Sequence, residues 1–194
     1  MDAKTYARMR AVAEDLMTRE EAWAVEIGEG VITMMMPPVN RHELIALRLA
    51  RQLQRQIDSD AEWTGHTAWS GPEIEAPAIG RMRRPDLVVV PERALDTLGF
   101  LDPADVALVA EVVSTSNPEN DYRDKTRDYP AMGIPLYLII DPRDKTLAVL
   151  SDPGPAPGDD GPRYRARHDY AFGDTVPVGP WVVDSGEFPA YDGS

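Results

Sequence analysis

Two acids and a lysine carry the chemistry that this chain could perform. Asp86 precedes Leu87-Val88-Val89-Val90 and Glu111 follows Val106–Ala110, each at one end of a short apolar run that reads as a buried strand. A carboxylate at the rim of a buried strand is costly unless a cation or hydrogen bonds satisfy it. Two such acids followed by Lys125 can form an oxygen-rich cage for a divalent metal beside a positive charge, a combination that suits phosphodiester hydrolysis. Plainer readings stand beside this one. Asp86 fits a turn cap after Pro85, and Lys125 fits an ordinary ion pair with Asp121, four residues before it. Glu111 is harder to explain without a partner, because Val109-Ala110 and Val112-Val113 enclose it in apolar sequence.

The lysine sits on a segment with a good helix start, Ser116 or Asn117 as the capping residue and Pro118 in the first turn. Asp121, Lys125 and Tyr129 recur every four residues and share one helix face, with Asp121 as the partner that orients the lysine. Pro130 predicts a helix end near Asp128, and the placement of Tyr129 beside the site then turns on whether the helix runs past it. The chain holds three lysines against seventeen arginines. Lysine offers a compact ammonium that can sit beside a water or phosphate oxygen, where the planar guanidinium fits less well.

The order of these motifs resembles a known family. P-D-L-V-V-V from Pro85, E-V-V-S-T-S from Glu111, D-Y-R-D-K-T-R-D-Y from Asp121 and G-I-P-L-Y-L-I-I-D-P from Gly133 follow Met36-Pro37-Pro38 and Arg41-His42-Glu43. From about Val25 to Pro142 this pattern is similar to the Uma family of "putative restriction endonucleases", within the PD-(D/E)XK nuclease superfamily. The resemblance implies a restriction-endonuclease-like α/β fold with a mixed sheet flanked by helices. It also implies a Mg²⁺ or Mn²⁺ ion on Asp86, Glu111 and the Val112 carbonyl, Lys125 at the attacking water, and DNA as substrate. The superfamily's lysine would stand at Val113; in this family it lies on the following helix, at Lys125. His42 falls close to the family's histidine and would support the metal site from behind, with Glu43 at the edge of the same helix face.

Composition sets further bounds. The chain of 194 residues is 43% hydrophobic and has no cysteine. That suggests one domain over 1–194, with its core at about 25–142 and a strand extension over about 143–194, and excludes disulfides. No apolar run is long enough for a membrane helix, so a cytoplasmic protein is expected. A net charge of −13 counts against nucleic acid as partner, unless cations are gathered locally. Arg81, Arg83 and Arg84, just ahead of Asp86, are the candidates for phosphate contact. Arg41, Arg48, Arg51 and Arg55 share one helix face, which also reads as a solvated surface. Arg163, Arg165 and Arg167 alternate along a strand.

These residues must be positioned by a series of elements. A helix is expected near 2–20, a strand pair at Trp23–Ile27 and Gly30–Met36, a helix at Asn40–Ile57, and one or two strands in Glu62–Ala78. Helix 118–128 between the strands of Glu111 and Tyr137 implies a right-handed crossover and a parallel pair. Ser151–Pro162 reads as a mobile loop, and strands follow at Tyr164–Tyr170 and Trp181–Val183. Met34-Met35-Met36 reads as core material. Two functions fit: a metal-dependent endonuclease acting as a homodimer, since duplex cleavage needs two cuts, or an inactive nuclease fold serving as a binding or structural module.

Overall fold

The apolar runs of the middle of the chain are buried at every position, so their strands need cover on both faces. In the computed structural model, which describes residues 1–19, 24–155 and 161–191, they receive it. The chain runs α1 (Ala3–Met17), β1 (Ala24–Gly28), β2 (Val31–Met35), α2 (Asn40–Ser59), β3 (His66–Ser70), β4 (Ile74–Ala76), β5 (Arg81–Arg83), β6 (Leu87–Pro91) and β7 (Leu108–Val112). A π-helical turn at Asn120–Asp124 leads into α3 (Lys125–Ala131), followed by β8 (Leu136–Asp141), β9 (Thr146–Pro155), β10 (Pro162–Ala171), β11 (Thr175–Val178) and β12 (Trp181–Asp184). Six strands form one sheet in the order β10-β9-β8-β7-β6-β3; β2-β1-β5-β4 form a second, and β11-β12 a separate hairpin.

The two faces of the six-stranded sheet have different cover. Leu87, Val89, Leu108, Ala110, Val112, Leu138 and Ile140 pack with Ile45, Leu49 and Leu53 of α2 and with Trp181 and Val183 of the hairpin. Their sequence neighbours Val88, Val90, Val109 and Ile139 point the other way, towards Tyr129, Met132 and Ile134, as the two-residue period of a strand requires. β7 and β8 are parallel, with Glu111 opposite Ile139; every other strand pair is antiparallel. The mixed α/β architecture is the one expected from the sequence.

Several elements differ from expectation. The π turn and α3 carry the helix past Asp128 to Ala131, with Pro130 inside it. The proline removes one backbone donor, but its flanks are held: Asp128 by Arg81 and Arg83, and Tyr129 by complete burial. The backbone N–H of Met132 still closes onto Asp128 O at 2.9 Å. The expected loop at Ser151–Pro162 is instead the end of β9, whose Pro155 pairs with Pro162 of β10; residues 156–160 lie outside the described residues, as does Trp23. β5 and β11 are strands that the sequence reading passed over. Met34 and Met36 are exposed, not core.

Helix α2 also holds the β11–β12 hairpin in place. Gln52 and Gln56 each exchange two hydrogen bonds with the backbone of β12, at Asp184 and Val182, all between 2.7 and 3.0 Å. Side-chain amides thus replace a missing strand along that edge, and the segment beyond β12 returns towards the sheet, where the Tyr191 N–H meets Pro142 O at 3.0 Å.

Candidate active site

Strand register brings the two acids together. Leu87 pairs with Ala110 in the antiparallel β6–β7 ladder, so the next step of that register sets Asp86 opposite Glu111, on the face covered by α3. Oδ2 of Asp86 accepts from the Val112 N–H at 2.7 Å, and Oδ1 lies 2.8 Å from Nε2 of His42, in the first turn of α2. Glu111 Oε1 receives the Tyr129 hydroxyl and lies 2.8 Å from Lys125 Nζ. The same ammonium is 2.9 Å from Asp121 Oδ1 and 3.8 Å from Glu26 Oε1. Asp121, Lys125 and Tyr129 therefore act from one helix face.

Behind Lys125 lies a second layer of buried charge. Arg83 reaches Glu26 Oε2 at 2.9 Å and grips Asp128 with two nitrogens. Asn120 donates to Glu26 Oε2 at 3.2 Å and accepts from Arg83 at 3.3 Å. Glu26, Arg83, Glu111, Asp121, Lys125 and Asp128 are all buried. Burial pushes the Glu111 carboxyl well above the usual carboxylate range; Lys125 opposes this, while Asp86, Asp121 and Glu26 add to it. Burial raises Asp121 likewise, against the pull of Lys125. For Glu26, burial is overcome by Lys125 and Arg83, and its pKa is lowered. Burial would strip Lys125 of its proton, but Asp121 and Glu111 hold it charged, well above the ordinary lysine range.

A cavity of about 300 Å³ opens onto this cluster, lined among others by His42, Asp86, Glu111, Val112, Asp121 and Lys125. The other expected residues lie elsewhere. Glu43 is exposed and does not line the cavity. Arg81, Arg83 and Arg84 point to Asp128, to Glu26 with Asp128, and to Glu73, and none of them lines the cavity; their guanidiniums hold the fold's own carboxylates. Arg41 and Arg48 donate to the carbonyls of Ala190 and Glu187. Val113, where the superfamily pattern sets a lysine, is fully buried in the apolar core. Glu26 is a member of the cluster beyond the expected residues, and Val25-Glu26-Ile27 carries the same signal as Glu111, an acid inside an apolar strand. Asn120, Asp128 and Tyr191 gave no such signal.

The donor set suits a hard divalent cation. Asp86 and Glu111 offer carboxylate oxygens to the cavity, and a cation there would oppose the burial and the neighbouring acids that raise Glu111. Among the described residues, no three acid or histidine side chains are already gathered as a ready-made cage, because Lys125 stands between Glu111 and Asp121.

Comparison with known proteins agrees with this architecture. The model of the Uma2 family, described as "Putative restriction endonuclease", matches residues 6–179. A crystal structure of "a putative nuclease belonging to DUF820" from Anabaena variabilis superposes with a TM-score of 0.64 at 14% identity, covering 91% of this chain and 96% of that one. At that identity the likeness shows a shared fold. No curated protein matches the chain.

The His42–Asp86 contact has a pH signature. Burial acts to lower the His42 pKa, but the hydrogen bond and charge of Asp86, helped by Glu43 and Asp121, raise it above its ordinary 6.5. The stability it contributes is therefore fully present below about pH 6.5 and is lost as pH rises through the higher folded value. In metal-free buffer, the stability gap between wild type and His42→Gln, from urea unfolding, is expected to narrow from about pH 6 to about pH 9. A gap that stays constant would contradict the assignment.

Proposed function

Because the chain belongs to the Uma2 family, we propose that it is a metal-dependent nuclease, with DNA as its substrate and Asp86, Glu111 and Lys125 as its catalytic residues. The observation that carries this reading is that the three side chains line one cavity in which buried carboxylates outnumber cations. Asp86, Glu111 and the Val112 carbonyl would hold Mg²⁺ or Mn²⁺. When bound, such an ion lowers the pKa of a water and offsets charge on the scissile phosphate.

The chain's own residues supply the rest. Lys125 offers a fixed positive charge at the phosphate and the attacking water, worth most where water is excluded. Asp121 sets its direction from four residues earlier, and Tyr129 fixes Glu111 by donating to Oε1. His42 holds one oxygen of Asp86 and the Val112 N–H the other, so the carboxylate cannot rotate freely. If intact duplex is the substrate, two cuts ask for a two-fold pair of chains; light scattering that finds only monomer across micromolar concentrations would count against that pair. The net charge of −13 favours a second reading, a nuclease fold kept as a binding module.

The two readings separate in one assay. Wild type is expected to cut nucleic acid with Mg²⁺ or Mn²⁺, and Asp86→Asn to fold but not cut. Lys125→Met should slow cleavage on the order of 10²–10³-fold. It also leaves two buried carboxylates without their cation and should cost about 3–5 kcal/mol of stability, so circular dichroism must show the variant folded at the assay temperature. Tyr129→Phe, which keeps that cation, should lower kcat more than it raises KM. Absence of cleavage with either metal would support the binding module, and full activity in folded Lys125→Met would overturn the assigned mechanism.

A further inference from the structure

The same cavity has an apolar wall that hydrolysis does not call for. Met34, Met36, Pro37, Pro38 and Val39 line it, and Met36 and Val39 are left 74% and 59% exposed. They lie on and just after β2, an edge strand of its sheet, where Pro37-Pro38 stiffens the passage into α2. Apolar side chains grouped beside a polar site are a surface for a flat apolar group of a ligand.

Tyr191 adds an independent observation. It lines this cavity too, and among the described residues its enclosed hydroxyl has no hydrogen-bond partner. A buried hydroxyl left unpaired costs about 1–3 kcal/mol, a cost a ligand's acceptor would remove. Burial, with Asp86 and Asp141 nearby, pushes its pKa up to about 12, so it keeps its proton to donate. The segment is held by the Tyr191 N–H on Pro142 O and by Arg41 on Ala190 O. Tyr191 also lies beyond residues 6–179, which the family model matches.

Charge narrows the ligand further. Among the described residues that line the cavity, Lys125 is the one lysine or arginine, whereas tracking a duplex takes several cations along its phosphates. A volume of about 300 Å³ gives room for one nucleotide rather than a paired stack. We propose that the cavity takes one unpaired nucleotide beside the bond to be cut, its base against Met34–Val39 and an oxygen of its phosphate or sugar accepting from Tyr191. Single-stranded or frayed nucleic acid is then preferred over intact duplex. This rests on the nuclease reading and specifies its substrate.

The test is fluorescence anisotropy of the full chain with a labelled DNA oligonucleotide, as a single strand and as a blunt duplex, in Ca²⁺, followed by cleavage of both in Mn²⁺. Single strand should bind roughly tenfold or more tightly than duplex. Met36→Ser and Tyr191→Phe should each weaken single-strand binding about fivefold or more, and weaken it by a larger factor than duplex binding. Both variants should fold, since Met36 is exposed and the Tyr191 hydroxyl has no partner to lose among the described residues. Equal binding and cutting of both forms, with neither variant altered, would overturn this inference and leave the nuclease standing. Failure to bind or cut either form would overturn both.

Discussion

The ammonium of Lys125 is the point on which the rest of the structure turns. It lies within 2.9 Å of Glu111 and Asp121 and 3.8 Å of Glu26, and it is 1% exposed. Removing one member of such a buried set leaves the others as uncompensated charges, which costs far more than the set contributes in net stability. The elements that carry its members are therefore tied to one another: β1 through Glu26, β5 through Arg83, β7 through Glu111, and the π turn and α3 through Asp121, Lys125 and Asp128. Arg83 and Lys125 together hold Glu26 below the usual carboxylate range, Arg81 joins Arg83 at Asp128, and Glu111 at the cavity is left raised by burial and by its acidic neighbours. The fold and the proposed chemistry thus share a cause, since the charge imbalance that makes the cluster costly is what a divalent cation would relieve.

Backbone geometry delivers these side chains. The antiparallel register of β6 and β7 sets Asp86 across from Glu111, and the parallel step to β8 leaves a helix lying over that face. The turn at Asn120–Asp124 is wound wide, with the Lys125 N–H closing onto Asn120 O, five residues back. Such turns recur at functional sites because they displace side chains from regular helical positions. Here the wide turn lies between Asp121 and Lys125, the two residues whose side chains meet.

Much of this was legible in the sequence where a residue's type conflicted with its surroundings. Glu111 amid valines and alanine signalled a buried partner, and the four-residue spacing of Asp121, Lys125 and Tyr129 signalled a shared face. Glu26 sends the same signal as Glu111, an acid between apolar residues of a strand, but lies some sixty residues before the other acids in sequence. Pro130 misled, because a local rule about backbone donors was set against tertiary anchoring of Asp128 and Tyr129. Arg81, Arg83 and Arg84 misled for a related reason: sequence adjacency to Asp86 says nothing of which way a strand residue points, and β5 directs two of them to Asp128. The long β9–β10 hairpin was hidden by prolines and glycines that ordinarily mark loops. Tyr191 lies far from the motifs in sequence, and only the chain's return over the sheet brings it to the cavity.

The central claim, that the charge deficit at Asp86 and Glu111 is met by a divalent cation, can be tested without any substrate. Titration of the purified chain with Mn²⁺, followed by electron paramagnetic resonance of the free ion, is expected to give a site that Mg²⁺ competes for and that folded Asp86→Asn loses. No binding at millimolar Mn²⁺, or binding unchanged in Asp86→Asn, would contradict it.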